Sequence, residues 1–137
     1  CDITFERLSN NMNHVNDLHQ RLLKGFLAMN DVHINGSVDS GIAGCLNVRF
    51  KNVDAEALML SVRAIALSFG SACNSVTIEP SHVLLAMGLS RLAASQSLRI
   101  SVGIFTTHEE IDFILSQFET ALKRLRAIST LPRCDAL

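Results

Sequence analysis

Two residues hold most of the chemistry that this chain could perform. The first is a thiol, Cys73, set in "SFGSACNSVTIEPSHVL" (68–84) among Gly70, Ser71, Ala72, Asn74 and Ser75. Small neighbours leave its sulfur open to approach, so a loop able to swing could carry it between sites as a nucleophile. The competing reading is an inert small apolar side chain, the commoner fate of a cysteine, and composition alone does not separate the two. No Lys, Arg or His adjoins Cys73, so thiolate formation has to be promoted from elsewhere in the structure. The second residue is Arg99, flanked by serines in "QSLRIS". Its planar fork suits a carboxylate, against the plainer reading of a solvated strand arginine.

Other chemistries are poorly served. A thiol protease needs a histidine paired with its cysteine; His82 and His108 stand in no such signature, and His19 and His33 read as structural. No glycine-rich phosphate loop opens a helix and no His-Glu-x-x-His is present. Cys1, Cys45, Cys73 and Cys134 are far apart and form no Cys-x-x-Cys pair, which argues against a zinc knuckle or a thioredoxin motif. An even count would permit two disulfides. An apolar chain read as lacking a secretory leader points instead to free thiols in a reducing compartment.

The elements that must position these residues follow from periodicity. Phe5, Leu8, Met12, Val15, Leu22 and Phe26 recur in steps of three and four, with His19 filling the gap, and predict a long amphipathic helix over 3–29. "VHI" is a short apolar piece ended by Asn35-Gly36. "LNVRF" alternates Leu46, Val48 and Phe50 against Asn47 and Arg49, as a half-buried strand does. Asp54 then caps a helix expected to run to about Ala66. "ALSF" reads as a strand entering the Cys73 loop, and Pro80 as the first turn of a short helix closed by Gly88. "SLRISVGIF" alternates again, with Leu98, Ile100 and Val102 opposite Ser97, Arg99 and Ser101. Thr107 and Glu110 have capping-box spacing, and Ile111, Leu115, Phe118, Leu122 and Leu125 form one stripe of the helix that they open. Irregular alternation of strands and helices indicates an α+β fold, a two-layer domain with a small sheet.

Composition narrows the partners. At 137 residues, 48% hydrophobic and 18% charged, the chain can build one ordinary core. Lys plus Arg (12) nearly balances Asp plus Glu (13), so neither nucleic acid nor an anionic membrane surface is expected as partner. Arg63 interrupts the most apolar segment before it reaches the length of a membrane span. Lys123, Arg124 and Arg126 cluster in the last turns of the final helix, where they complement its dipole before they suggest a docking patch.

Taken together, "SFGSACNSVTIEPSHVLLAMGL" and the following "SLRISVGIFTTHEEIDFIL" resemble the C-terminal part of cysteine desulfurases, with "HINGSV" and "CLNVRF" matching the entry to that region. The similarity covers roughly residues 15–128 and is nearest to the type that supplies sulfur for iron–sulfur cluster assembly. It implies the C-terminal small domain of a fold-type I pyridoxal phosphate enzyme, a short mostly antiparallel sheet packed on helices. Residues 1–30 would be a helix linking to a large cofactor domain, and 31–137 the small domain with the cysteine loop. By position Cys73 matches the loop nucleophile that takes sulfur from L-cysteine as a persulfide, releasing L-alanine, and Arg99 matches the arginine that binds the substrate carboxylate. Lys24, Lys51 and Lys123 lie in no cofactor-lysine motif, so no cofactor-binding or metal residue is assigned in this chain and it is expected to be inactive by itself. The resemblance further implies an iron–sulfur scaffold or sulfur-carrier protein as acceptor, a homo-oligomer, and a cytoplasmic location (mitochondrial matrix in a eukaryote). A free-standing, non-enzymatic sulfur-relay or interaction domain is the alternative.

Overall fold

The computed structural model describes residues 2–38, 41–67 and 80–128, with side chains from residue 6 onward. In chain order these form α1 (Asp2–Leu27), β1 (Val32–Ile34), β2 (Cys45–Phe50), α2 (Ala55–Ser61), α3 (His82–Ala86), α4 (Arg91–Ser95), β3 (Ser97–Ser101) and α5 (His108–Ile128). The strands pair in the order β1-β2-β3, antiparallel throughout. The fold is α+β in two layers, with α1 and α5 over one face of the sheet.

Alternation along β2 sends Leu46, Val48 and Phe50 into the core, and β3 adds Leu98 and Ile100. Leu18, Leu22, Leu23 and Phe26 of α1 meet them, as do Ile111, Phe118 and Leu122 of α5. Three rings make the centre. Phe26 and Phe50 both lie edge-on or stacked against Phe118, with centroids 5.3 Å from it. The Thr107–Glu110 capping box forms as its spacing predicts: Thr107 N donates to Glu110 Oε2 at 2.8 Å, and Glu110 N to Thr107 Oγ1 at 3.2 Å.

The apolar stripe of α1 meets the core only in its second half: Leu8 and Met12 are 48% and 45% exposed, and burial begins at Leu18. The reason is length. A 26-residue helix runs about 39 Å, whereas a six-residue strand covers about 20 Å, so the sheet can pack against only half of it. Helix α2 stops at Ser61 and not near Ala66. Val62 leaves helical geometry at φ −115 while its N–H still reaches Leu58 O and Met59 O. A turn bond from Ile65 N to Val62 O then keeps both apolar side chains on the core without further helix.

Ala66 and Leu67 carry no strand, and Ser68 and Phe69 lie outside the described residues. Pro80 stands just ahead of the helix that it was expected to begin, since Ser81 is the cap of α3. Gly88 closes α3 at φ +91, with Leu89 N on Leu84 O and Gly88 N on Leu85 O, the paired bonds of a Schellman end. Helix α4 has no counterpart in the sequence reading; five residues are too few for periodicity to register, although Ser90 caps it by accepting from Ala93 N.

The basic cluster of α5 is structural. Arg126 donates to the carbonyls of Asn30, Asp31 and Lys51, Arg124 to Ser61 Oγ, and Lys123 pairs with Glu119. Arg126 thereby fastens the end of α5 to the turns that follow α1 and β2, and Arg124 fastens it to the end of α2.

Candidate functional site

The face of the sheet turned away from the core is polar. The same alternation that buries Leu46, Val48 and Phe50 leaves Cys45, Asn47 and Arg49 on this side, joined by Ser97, Arg99 and Ser101 of β3 and by His33 of β1. Register sets the neighbours: Cys45 faces Ser101, Asn47 faces Arg99, and Arg49 faces Ser97 on one side and His33 on the other.

Asn35 organises one end of the face. Its Nδ2 donates to Asn47 Oδ1 at 2.7 Å and to Ser97 Oγ at 2.9 Å. Ser97 Oγ donates in turn to Ala93 O at 2.8 Å, so α4, β1, β2 and β3 are tied through one serine and two asparagines. At the other end Ser101 Oγ points its hydroxyl at Cys45 Sγ, 3.7 Å away. Cys45 is a half-buried free thiol. Arg99 stands exposed between these ends, opposite the asparagine that Asn35 fixes. A guanidinium held on a rigid strand beside amide and hydroxyl groups can orient a carboxylate, because its fork matches both oxygens.

Charged pairs lie elsewhere, on the seam between α1 and α5. Arg21 makes a two-bond contact with Asp112 at 2.9 and 2.8 Å, and its hydrogen bond holds the Asp112 carboxyl below the usual range. His108 Nε2 lies 2.6 Å from Asp17 Oδ2. His19 is buried and structural: its Nδ1 accepts from Gly44 N at 3.1 Å, where Gly44 sits at φ +79 with Val102 O too close for a side chain. No group of three metal-binding side chains exists among the described residues. No described helix is long and apolar enough to cross a membrane.

Of the two residues that the sequence singled out, the structure places Arg99 on this polar face, while Cys73 lies outside the described residues. Asn47, Arg49 and Ser97 were legible as polar strand positions. The convergence of Asn47 and Ser97 on Asn35 was not, because it depends on which strands pair and in what register.

Three comparisons bear on this arrangement. Residues 5–114 match the family model described as aminotransferase class-V. The chain is 41% identical to the cysteine desulfurase IscS of Mannheimia succiniciproducens over 126 residues, covering 92% of this chain and 31% of that protein. It is 40% identical to the mitochondrial cysteine desulfurase of Saccharomyces cerevisiae, again over 92% of this chain and over 25% of that one. Among solved structures a NifS-like protein superposes with a TM-score of 0.75 at 29% identity, covering 90% of this chain and 31% of the other. The chain thus spans about a third of the length of the bacterial relatives that it matches.

Proposed function

The chain belongs to the class-V aminotransferase family, and on that premise we propose that it is the C-terminal part of a cysteine desulfurase. The observation that carries this reading is 41% identity to such an enzyme across 92% of the chain, together with an exposed arginine on the polar sheet face where a substrate carboxylate would be held. In this reading Arg99 binds the carboxylate of L-cysteine. The Cys73 thiolate attacks the substrate sulfur, an S–S bond forms as the C–S bond breaks, and the carbon fragment leaves as L-alanine after gaining a proton. The persulfide on Cys73 then passes to an acceptor thiol of a scaffold or carrier protein, for iron–sulfur cluster assembly.

Pyridoxal phosphate would supply the electron sink for breaking the C–S bond. The three lysines of this chain do not fit its attachment beside Arg99: Lys24 is exposed on α1, Lys51 follows β2, and Lys123 is paired with Glu119 on α5. The cofactor is therefore assigned to the portion of the relatives that this chain does not span, and residues 1–30 to the link with it. The bacterial cytoplasm or the mitochondrial matrix is the matching compartment.

The test is a graft. Residues 15–128 replace the matching third of the Mannheimia succiniciproducens enzyme, and alanine release from cysteine is followed in the cofactor-loaded product. Alanine and enzyme-bound persulfide in equal amounts are expected; a loaded graft that binds cysteine and yields neither would refute the assignment. In the same graft Arg99→Ala weakens cysteine binding, by about 2–5 kcal/mol where the grafted cofactor domain buries the arginine–carboxylate pair. A Kd within twofold of the parent graft would show that Arg99 does not hold the carboxylate.

The half-exposed Leu8 and Met12 leave apolar surface on the N-terminal half of α1. Such surface favours self-association, and the isolated chain is expected to form a homo-oligomer through it. Light scattering that gives 15 kDa at millimolar concentration would exclude this.

A further inference from the structure

The hydrogen bonds at one end of the polar face run in a fixed sense, and that sense bears on Arg99. They start from Ala93 O, a carbonyl that can only accept, so the Ser97 hydroxyl directs its one proton there. Toward the sheet Ser97 Oγ can then only accept, and it accepts from Asn35 Nδ2 at 2.9 Å. With its nitrogen on this side, Asn35 meets Asn47 through the oxygen of the second amide, Oδ1, at 2.7 Å. An asparagine can present either end of its amide. For Asn47 a helix carbonyl three hydrogen bonds away decides which.

The Asn47 amide nitrogen is thereby turned away from Asn35, with two N–H groups to donate. No acceptor among the described residues takes either of them. Asn47 is half-buried, and its partner across the β2–β3 ladder is the exposed Arg99. Side chains directly opposite on an antiparallel ladder have Cβ atoms about 4.5–5.5 Å apart, so an amide and a guanidinium placed in this way can grip one small anion. An ionised carboxylate offers about four lone-pair sites on its two oxygens. The parallel bonds of one guanidinium fork use two of them, which leaves room for a further donor. Asparagine adds that donor without adding charge, as suits a ligand with a single carboxylate. A relay of the opposite sense would turn the Asn47 oxygen onto the same carboxylate and repel it.

We infer that Asn47 Nδ2 is the second donor to the carboxylate that Arg99 holds, and that Asn35 and Ser97 are positioning residues that keep the amide turned that way. The inference rests on the proposed role of Arg99 and adds a binding residue beside it. The ligand class stays that of a monocarboxylate, such as the amino acid substrate.

The experiment uses the full 137-residue chain labelled with 15N, and follows the Arg99 Nε–H and asparagine Nδ2 signals while acetate is added at constant ionic strength. One dissociation constant is expected to describe the movement of Arg99 and of Asn47, with the Asn35 amide, already bonded to Asn47 and Ser97, moving less. Asn47→Ala should weaken acetate about tenfold, the loss of one hydrogen bond to a charged group, while Arg99 still responds at higher concentration. Asn35→Asp reverses the relay, because aspartate has no N–H to donate. Asn47 should then donate to it, and its Nδ2 signals should no longer follow acetate even where Arg99 is saturated; an effect of charge alone would weaken binding and keep that response. Movement of Arg99 with Asn47 Nδ2 unmoved in the parent chain, or an unchanged affinity in Asn47→Ala, would overturn the inference and leave the carboxylate role of Arg99 standing. An Asn47 response that persists in Asn35→Asp would overturn the relay. No response of either residue would sink both readings.

Discussion

Cys73→Ser in the cofactor-loaded graft reduces enzyme-bound sulfur, supplied as labelled cysteine, to the level of a reagent blank. The loss is total because the step needs a sulfur nucleophile that can itself hold sulfur. A thiolate forms at accessible pH and attacks sulfur, whereas a serine hydroxyl stays protonated and makes no stable bond to sulfur under the same conditions. Serine occupies nearly the volume of cysteine, so cofactor loading and thermal stability should match the parent graft. Two controls separate this from a general disturbance. Cys45→Ser should keep its label, since Cys45 is half-buried on the sheet and takes a hydrogen bond from Ser101. Arg99→Ala should also carry label once cysteine is raised to saturation, because it loses binding and keeps the nucleophile. Label retained by the Cys73 variant would move the sulfur acceptor to another residue.

Local rules carried the sequence a long way in this chain and then failed at identifiable points. Period-two alternation is a property of neighbouring residues, so β2 and β3 were legible, and with them the sidedness of Asn47, Arg49 and Arg99. The capping box of α5 was legible for the same reason. Burial along α1 is not a local property: its stripe continues through Leu8 and Met12, but whether a stripe meets a core depends on what lies opposite, and the sheet is shorter than the helix. The end of α2 was missed because Val62 and Ile65 keep helical spacing while the backbone between them turns. The polar cluster depends on Asn35 reaching Asn47 and Ser97, contacts that only the strand order creates. The proposed roles of Arg99 and Cys73 both come from motif position in the family resemblance, which periodicity could not supply.

Phe118→Ala should destabilise the chain by about 3–5 kcal/mol, the cost of deleting a fully buried ring and leaving its cavity. The ring is 0% exposed and touches two others, Phe26 and Phe50, with centroids 5.3 Å away in each case. Those three rings come from α5, α1 and β2, elements far apart in sequence, so no local rearrangement can refill the space. Aromatic pairs add about 0.5–1.5 kcal/mol each beyond their buried area, which places this site toward the upper end of the range. For a domain whose whole stability is about 5–15 kcal/mol, such a loss leaves little reserve. The polar face should feel it too. Phe50 follows Arg49 directly, and its N–H bonds Gln96 O next to Ser97, so a loosened Phe50 weakens the ladder that sets Asn47 against Arg99. Phe113→Ala, on the exposed side of the same helix at 46%, should cost less than about 1 kcal/mol. Urea unfolding of both variants measures the difference through the midpoint, with an unchanged slope. Equal midpoints for the two variants would mean that the ring cluster does not hold the layers together.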